Sequence, residues 1–140
     1  HTQEPISGTD DSMTMTTELV MDEEELQNWR MGMQAMAALP HVMVKISMLG
    51  YAIPGWTGHA SRIHVMKRLV RETVALFTPQ RCMVATNFWK NAALSDADGL
   101  AAMGPDPVQF LSLLSDFLSD YSDEDRHAIF CGTAQSFYRV

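Results

Sequence analysis

Arg81-Cys82-Met83-Val84-Ala85-Thr86-Asn87-Phe88-Trp89 is the stretch on which the fold turns. It reads as a short buried strand that delivers one polar side chain, Asn87, at its C-terminal end. Val42-Met43-Val44-Lys45-Ile46-Ser47-Met48 has the same form. Each lies between helical patterns. Strands of this kind alternating with helices imply a parallel sheet covered by helices. In α/β barrels the chemistry sits at the C-terminal ends of the strands, which makes Asn87 the first candidate.

Bulk properties narrow the classes. The chain has 140 residues, enough for one domain, and 46% of them are hydrophobic. That fraction suits a globular core rather than a disordered chain. Seventeen acidic residues against ten basic ones give a net charge of -7. Such a balance argues against nucleic acid as a partner and against an anionic membrane surface. No apolar run approaches the roughly 20 residues that span a bilayer. Cys82 and Cys131 are the two cysteines. They make neither a metal-spacing motif nor a disulfide framework, and read as reduced buried thiols, with a bridge between them as the alternative.

Outward from the two strands, the pattern gives the order loop, α, β, α, β, α, α, α. Residues 1–21 hold no period and read as a loop. Asp22-Glu23-Glu24-Glu25 opens a helix in which Leu26, Trp29, Met33, Met36 and Ala37 share the core face. Leu39-Pro40 ends it. On the strand over 42–48, alternation puts Val42, Val44 and Ile46 against the helices and turns Met43, Lys45 and Ser47 to the interior. Residues 50–58 form a turn-rich loop with Pro54-Gly55-Trp56. A helix over 61–77 buries Ile63, Met66, Leu69, Val70, Thr73, Val74 and Phe77. Arg62, Lys67, Arg68, Arg71 and Glu72 give it a solvated face. A second long loop covers 90–106, where Asp96 and Asp98 read as solvated or as a weak cation contact.

Asp106-Pro107 starts the next helix, with Val108, Leu111, Leu114, Phe117 and Leu118 as its apolar face. Ser122-Asp123-Glu124-Asp125 caps another, which buries Ile129 and Phe130. Gly132 is expected to separate a last helical turn anchored by Phe137 and Tyr138. His41, His59, His64 and His127 share no metal spacing.

Several stretches then carry a resemblance. They are Trp29-Arg30 through Leu39-Pro40, Val44-Lys45-Ile46-Ser47 with Pro54-Gly55-Trp56, Arg81-Cys82-Met83 through Thr86-Asn87-Phe88, and Asp123-Glu124-Asp125-Arg126 through Phe137-Tyr138-Arg139. In this order they resemble the C-terminal half of the amidohydrolase-related proteins that include L-fuconolactonase and 2-pyrone-4,6-dicarboxylate lactonase. His1-Thr2, with Pro5, is similar to the end of an earlier strand of that family. The resemblance implies a partial TIM-like (β/α) barrel, with residues 22–140 as its C-terminal portion. A complete barrel takes eight strands and about 250 residues. The expected partner is therefore the missing N-terminal barrel half or another protein subunit.

The resemblance also implies the site. His1 matches an active-site histidine, and Asn87 stands where catalytic members place an aspartate; these two are the catalytic candidates. Lys45 and Trp56 are the substrate-binding candidates, with a structural ion pair as the alternative for Lys45 and a mobile terminus without function for His1. No metal ligand is assigned. The cofactor expectation stays open between none and a divalent metal in the complete barrel. Met48 replaces the family's glycine after Lys-Ile-Ser, and Trp89 replaces a proline.

Two functions follow as expectations. One is part of a lactonase-type or amide-type hydrolase, with water attacking a carbonyl at the barrel mouth. The other is a non-catalytic accessory subunit derived from such a hydrolase, a pseudoenzyme in which an amide replaces the carboxylate. A soluble chain is expected, with the compartment open between cytoplasm and an organelle matrix or stroma.

Overall fold

The computed structural model describes residues 21–87 and 105–140. His1, the loop expected over 1–21 apart from Met21, Phe88-Trp89, and the loop expected over 90–106 as far as residue 104, with Asp96 and Asp98, lie outside the described residues.

Helix α1 runs Glu23–Ala37. Asp22 starts it, its Oδ1 accepting from the backbone N–H of Glu24 at 2.9 Å and of Glu25 at 3.1 Å. Three glutamates then occupy the first turn, where the helix dipole favours negative charge. The buried face is narrower than its sequence pattern. Leu26 is buried, Trp29, Met33 and Ala37 are half-buried, and Met36 is 48% exposed. The reason is geometric: α1 packs along α2, through a bidentate Arg30–Glu72 pair at 2.8 and 3.0 Å, while no described residue covers the sheet edge near Trp29 and Met33.

Strand β1 is Val44–Ile46, and β2 is Cys82–Val84. They are parallel neighbours, with Val44 opposite Cys82, Lys45 opposite Met83 and Ile46 opposite Val84. Both are shorter than their apolar runs, because Met48 and Asn87 take left-handed backbone conformations just beyond them. Helix α2, Ala60–Phe77, connects the two strands. Its inward stripe of Met66, Val70, Val74 and Phe77 packs with Ile46 and Cys82 in the core, with Val42, Val44 and Val84 alongside. Thr73 is buried on that stripe too, and its hydroxyl donates to Leu69 O at 2.9 Å, so no polar atom is stranded. Its outer face is not simply solvated. Glu72 is held by Arg30, and Arg71 donates through Nη2 to Asp120 at 2.9 Å and through Nη1 to Phe117 O at 3.0 Å.

Arg81, at the entrance to β2, holds the lower end of the structure together. Its Nη2 donates to Ala37 O at 2.9 Å, its Nη1 to Leu39 O at 3.0 Å and more weakly to Val42 O at 3.4 Å, and its Nε to Phe77 O at 2.9 Å. These carbonyls include the C-terminal ends of both α1 and α2, which a helix leaves without intrahelical partners. The planar fork of a guanidinium suits several acceptors at once.

Helix α3, Pro107–Phe117, begins at Asp106, whose Oδ1 accepts from Val108 N at 2.9 Å and Gln109 N at 3.1 Å. Its inward face is Phe110, Leu114 and Phe117, followed by Leu118; Val108 is 78% exposed and Leu111 lies on the outer flank. Leu114, Phe117 and Leu118 lie inward as expected, whereas nearer the start of the helix Phe110 is buried in place of Val108 and Leu111, all three being apolar so that periodicity alone does not choose between them. Ser122 caps α4, Asp123–His127, accepting from Asp125 N at 3.1 Å. A π-helical segment, Ala128–Gly132, joins α4 to α5, Thr133–Tyr138. Gly132 therefore does not break the helix; its backbone is right-handed helical, φ -62° and ψ -40°. Ile129 is fully buried against the core. Phe137 and Tyr138 are each 49% exposed, so they do not anchor the chain in its core; they pair edge-to-face at 4.9 Å.

Candidate functional site

In a parallel α/β sheet the strands' C-terminal ends are the place to look for chemistry. Here the ladder closes with Ala85 N donating to Ile46 O at 3.2 Å. Beyond it, Met48 (φ 52°, ψ 38°) and Asn87 (φ 51°) both turn into left-handed backbone, one at the end of each strand. The register sets Met48 level with Thr86, next to Asn87. Asparagine adopts this conformation readily; methionine does so at a cost of about 1 kcal/mol. Strained positions of this kind cluster at functional sites. Asn87 is half-buried, so its carboxamide is partly accessible.

The other candidates are not gathered there. Lys45 is exposed and lies opposite Met83, four residues before Asn87. That is about 13 Å along the strand. Its ammonium lies 5.4 Å from the centre of the Tyr138 ring. Helix α5, which carries Tyr138, packs against β2 and the turn before it, and Thr133 Oγ1 donates to Pro79 O at 3.1 Å. The Lys45 ammonium thus lies against a ring of the C-terminal helix. Neither an acidic partner nor a shared mouth with Asn87 is formed among the described residues.

Trp56 sits in the loop after β1, as the sequence indicated, but its indole is fully buried. It packs on Phe117, ring centroids 6.1 Å apart and tilted by 50°. The structure therefore places it in the core rather than on a pocket wall. Its Nε1 has no hydrogen-bond partner among the described residues. The loop itself is fixed by left-handed Gly55 (φ 63°) and by Arg62 Nη1 donating to Pro54 O at 3.2 Å.

Cys82 and Cys131 are both free thiols. Burial pushes the Cys82 thiol up to about 12, despite the neighbouring Arg81 charge, which makes it an inert core residue. Among the described residues no three His, Cys, Asp or Glu side chains come together as metal ligands. The same residues contain no helix long and apolar enough to cross a membrane.

The group missed as a contributor is Met48. Its signal was the glycine that the resembling family has there, since glycine marks a left-handed position.

An α/β arrangement of parallel strands with flanking helices is thus defined, with two kinked strand ends on one side. Residues 10–140 match the amidohydrolase family, and the chain belongs to that family. An uncharacterised protein of Sinorhizobium fredii (strain NBRC 101917 / NGR234), y4mH, is 30% identical over 114 residues, covering 81% of this chain and 33% of that protein. Two crystal structures of an amidohydrolase from Burkholderia multivorans are also similar. The one with bound HEPES aligns with a TM-score of 0.68 and 25% identity over 85% of this chain and 39% of its own. The one with bound zinc gives 0.68 and 25% over 88% and 40%. The chain spans about a third of its curated relative and about two fifths of the solved chains.

Proposed function

We propose that these residues form the last two strands and the closing helices of a TIM-like hydrolase barrel that cleaves a lactone or a related carboxylic ester or amide. The observation that supports this reading is the pair of left-handed strand ends, Met48 and Asn87, side by side in an amidohydrolase-family chain. At the lip of such a barrel, the Asn87 carboxamide donates an N–H to the carbonyl oxygen as water attacks the carbon. Its oxygen can also accept from that water. It has no titratable proton near neutrality, so it orients and polarises but does not act as the base. His1 is the proposed second donor to the carbonyl. Lys45 is proposed to act structurally through Tyr138, and Trp56 to support the loop from beneath. The rest of the barrel, in the same polypeptide or another subunit, supplies the remaining groups.

A second reading is a non-catalytic accessory subunit that keeps the hydrolase architecture. It is favoured by one observation: the strand-end residue is a carboxamide rather than a carboxylate. The two readings separate on hydrolysis. A polypeptide carrying the whole amidohydrolase fold with these 140 residues should turn over members of a panel of sugar lactones, aromatic lactones and simple amides. No turnover anywhere in the panel would favour the accessory reading.

A further inference from the structure

A strand that ran on past Ile46 in extended form would return its side chain to the helices at position 48. Val44 and Ile46 do pack into the helix-side core, with Met66, Val70 and Val74. Met48 does not. Its backbone turns left-handed, φ 52° and ψ 38°, and the core position passes to the next residue, Leu49, which packs on the same cluster. Leu49 and Ala52 also line a cavity of about 270 Å³ on the helix side, and Met48 is not in its wall. The Met48 side chain is half-buried all the same. It therefore lies on the other face of the strand ends. That is the face of Lys45 and Met83, neither of which belongs to the helix-side core.

Left-handed backbone is unfavourable for methionine, and through it the core forgoes an apolar side chain. A strained residue held at a strand end points to a function. Met48 is level with Thr86 and next to Asn87, so a flexible thioether stands beside the half-buried carboxamide. Methionine offers dispersion and sulfur–aromatic contact, and as a hydrogen-bond partner only a weak acceptor. A hydroxyl set against it loses its water without a replacement, whereas an alkyl or aryl group gains contact.

We propose that the Met48 side chain is a specificity wall beside Asn87, and that the compound hydrolysed there carries an alkyl or aryl group, not a hydroxyl, on the carbon next to the scissile carbonyl. This rests on the hydrolase reading given under Proposed function and adds a substrate class to it.

The test uses a polypeptide with the whole amidohydrolase fold and these 140 residues, with α-phenyl-γ-butyrolactone and α-hydroxy-γ-butyrolactone as substrates. The two share the ring and the leaving oxygen and differ only beside the carbonyl. The parent should favour the phenyl lactone in kcat/KM by about 10-fold or more. Met48→Gly removes the wall and relieves the strain, and should bring the ratio to within about 3-fold through a higher KM for the phenyl lactone. Met48→Leu keeps the volume and the apolar character and should retain most of the preference. Binding of the same lactones, followed by NMR of methyl-labelled methionine, is read independently of turnover. The Met48 methyl signal, assigned by its loss in Met48→Leu, should shift with the phenyl lactone. An equal or reversed preference in the parent, a preference that survives Met48→Gly, or binding that leaves the Met48 methyl unmoved would each overturn the proposal. Binding of the phenyl lactone that shifts this methyl and weakens in Met48→Gly, without turnover, sustains the wall and counts against the catalytic reading. Absence of both binding and turnover overturns the two together.

Discussion

Replacing Arg81 by alanine withdraws the donors that serve the carbonyls of Ala37, Leu39 and Phe77 at 2.9–3.0 Å, and a weaker bond to Val42 at 3.4 Å. Hydrogen bonds from a charged donor are individually stronger than neutral ones. These carbonyls are only partly buried, however, so water replaces some of what is lost. Counting about 1 kcal/mol net for each of the three short bonds gives a loss of about 3 kcal/mol. Removal of the guanidinium over the Phe77 ring, its Cζ 5.3 Å from the centre, adds to this. A domain of this size has about 5–15 kcal/mol in hand, so the change is large. With a urea slope of about 2 kcal/mol/M, the midpoint should fall by roughly 1.5 M. Arg81→Lys keeps the charge but offers a point donor in place of a fork, and should recover less than half of the loss. Circular dichroism during urea titration of the three proteins measures both effects. A fall below about 1 kcal/mol, or complete rescue by lysine, would refute the clamp.

Met48→Gly should raise stability by about 0.5–1 kcal/mol, because relief of the left-handed strain outweighs the added chain entropy; thermal melts decide it. Thr78→Gly should act in the same direction, since a β-branched residue at φ 68° and ψ 154° occupies a region that is essentially glycine's own. With a thiol reagent at neutral pH, half-buried Cys131 should react in the native state and buried Cys82 only on unfolding; equal rates would contradict the packing of β2. Hydrogen bonds from Arg30 and Arg71 hold the carboxyls of Glu72 and Asp120 below the usual carboxylate range. Lowered folded-state values give stability that is fully present above the unfolded pKa of about 4 and lost as pH falls through the folded one. Urea midpoints should therefore fall on acidification below about pH 4, and less so in Glu72→Gln; a rise would contradict the sign.

Features fixed by neighbours in the chain were legible. Asp22, Asp106 and Ser122 each precede a helix and each caps it. The α2 stripe and the parallel pairing of two strands joined by that helix follow from local period and chain order. What depended on distant residues was not legible. Arg81 acts on carbonyls about forty positions away, and Arg71, read as solvated, meets Asp120. Lys45 was expected to face the interior, on a substrate or in an ion pair, but the ring it lies against, Tyr138, comes from the far end of the chain. Trp56 was placed in the correct loop, yet whether an indole lines a pocket or fills a core is decided by what packs on it, here Phe117. Gly132 looked like a break; the extra residue of a π turn lets the helix run through it.

The central claim, that the kinked end of β2 forms part of a hydrolase mouth, is tested most directly at Asn87. Lactone hydrolysis should be measured against pH for a polypeptide with the whole fold, for Asn87→Ala and for Asn87→Asp. Loss of one donor to the developing oxyanion should lower kcat by about 100-fold or more in the alanine variant, without a comparable rise in KM. The aspartate variant should gain a limb in which activity rises with pH near the ordinary carboxylate pKa of about 4, as the new base ionises. Unchanged kcat in Asn87→Ala, with no new limb in Asn87→Asp, would contradict the assignment.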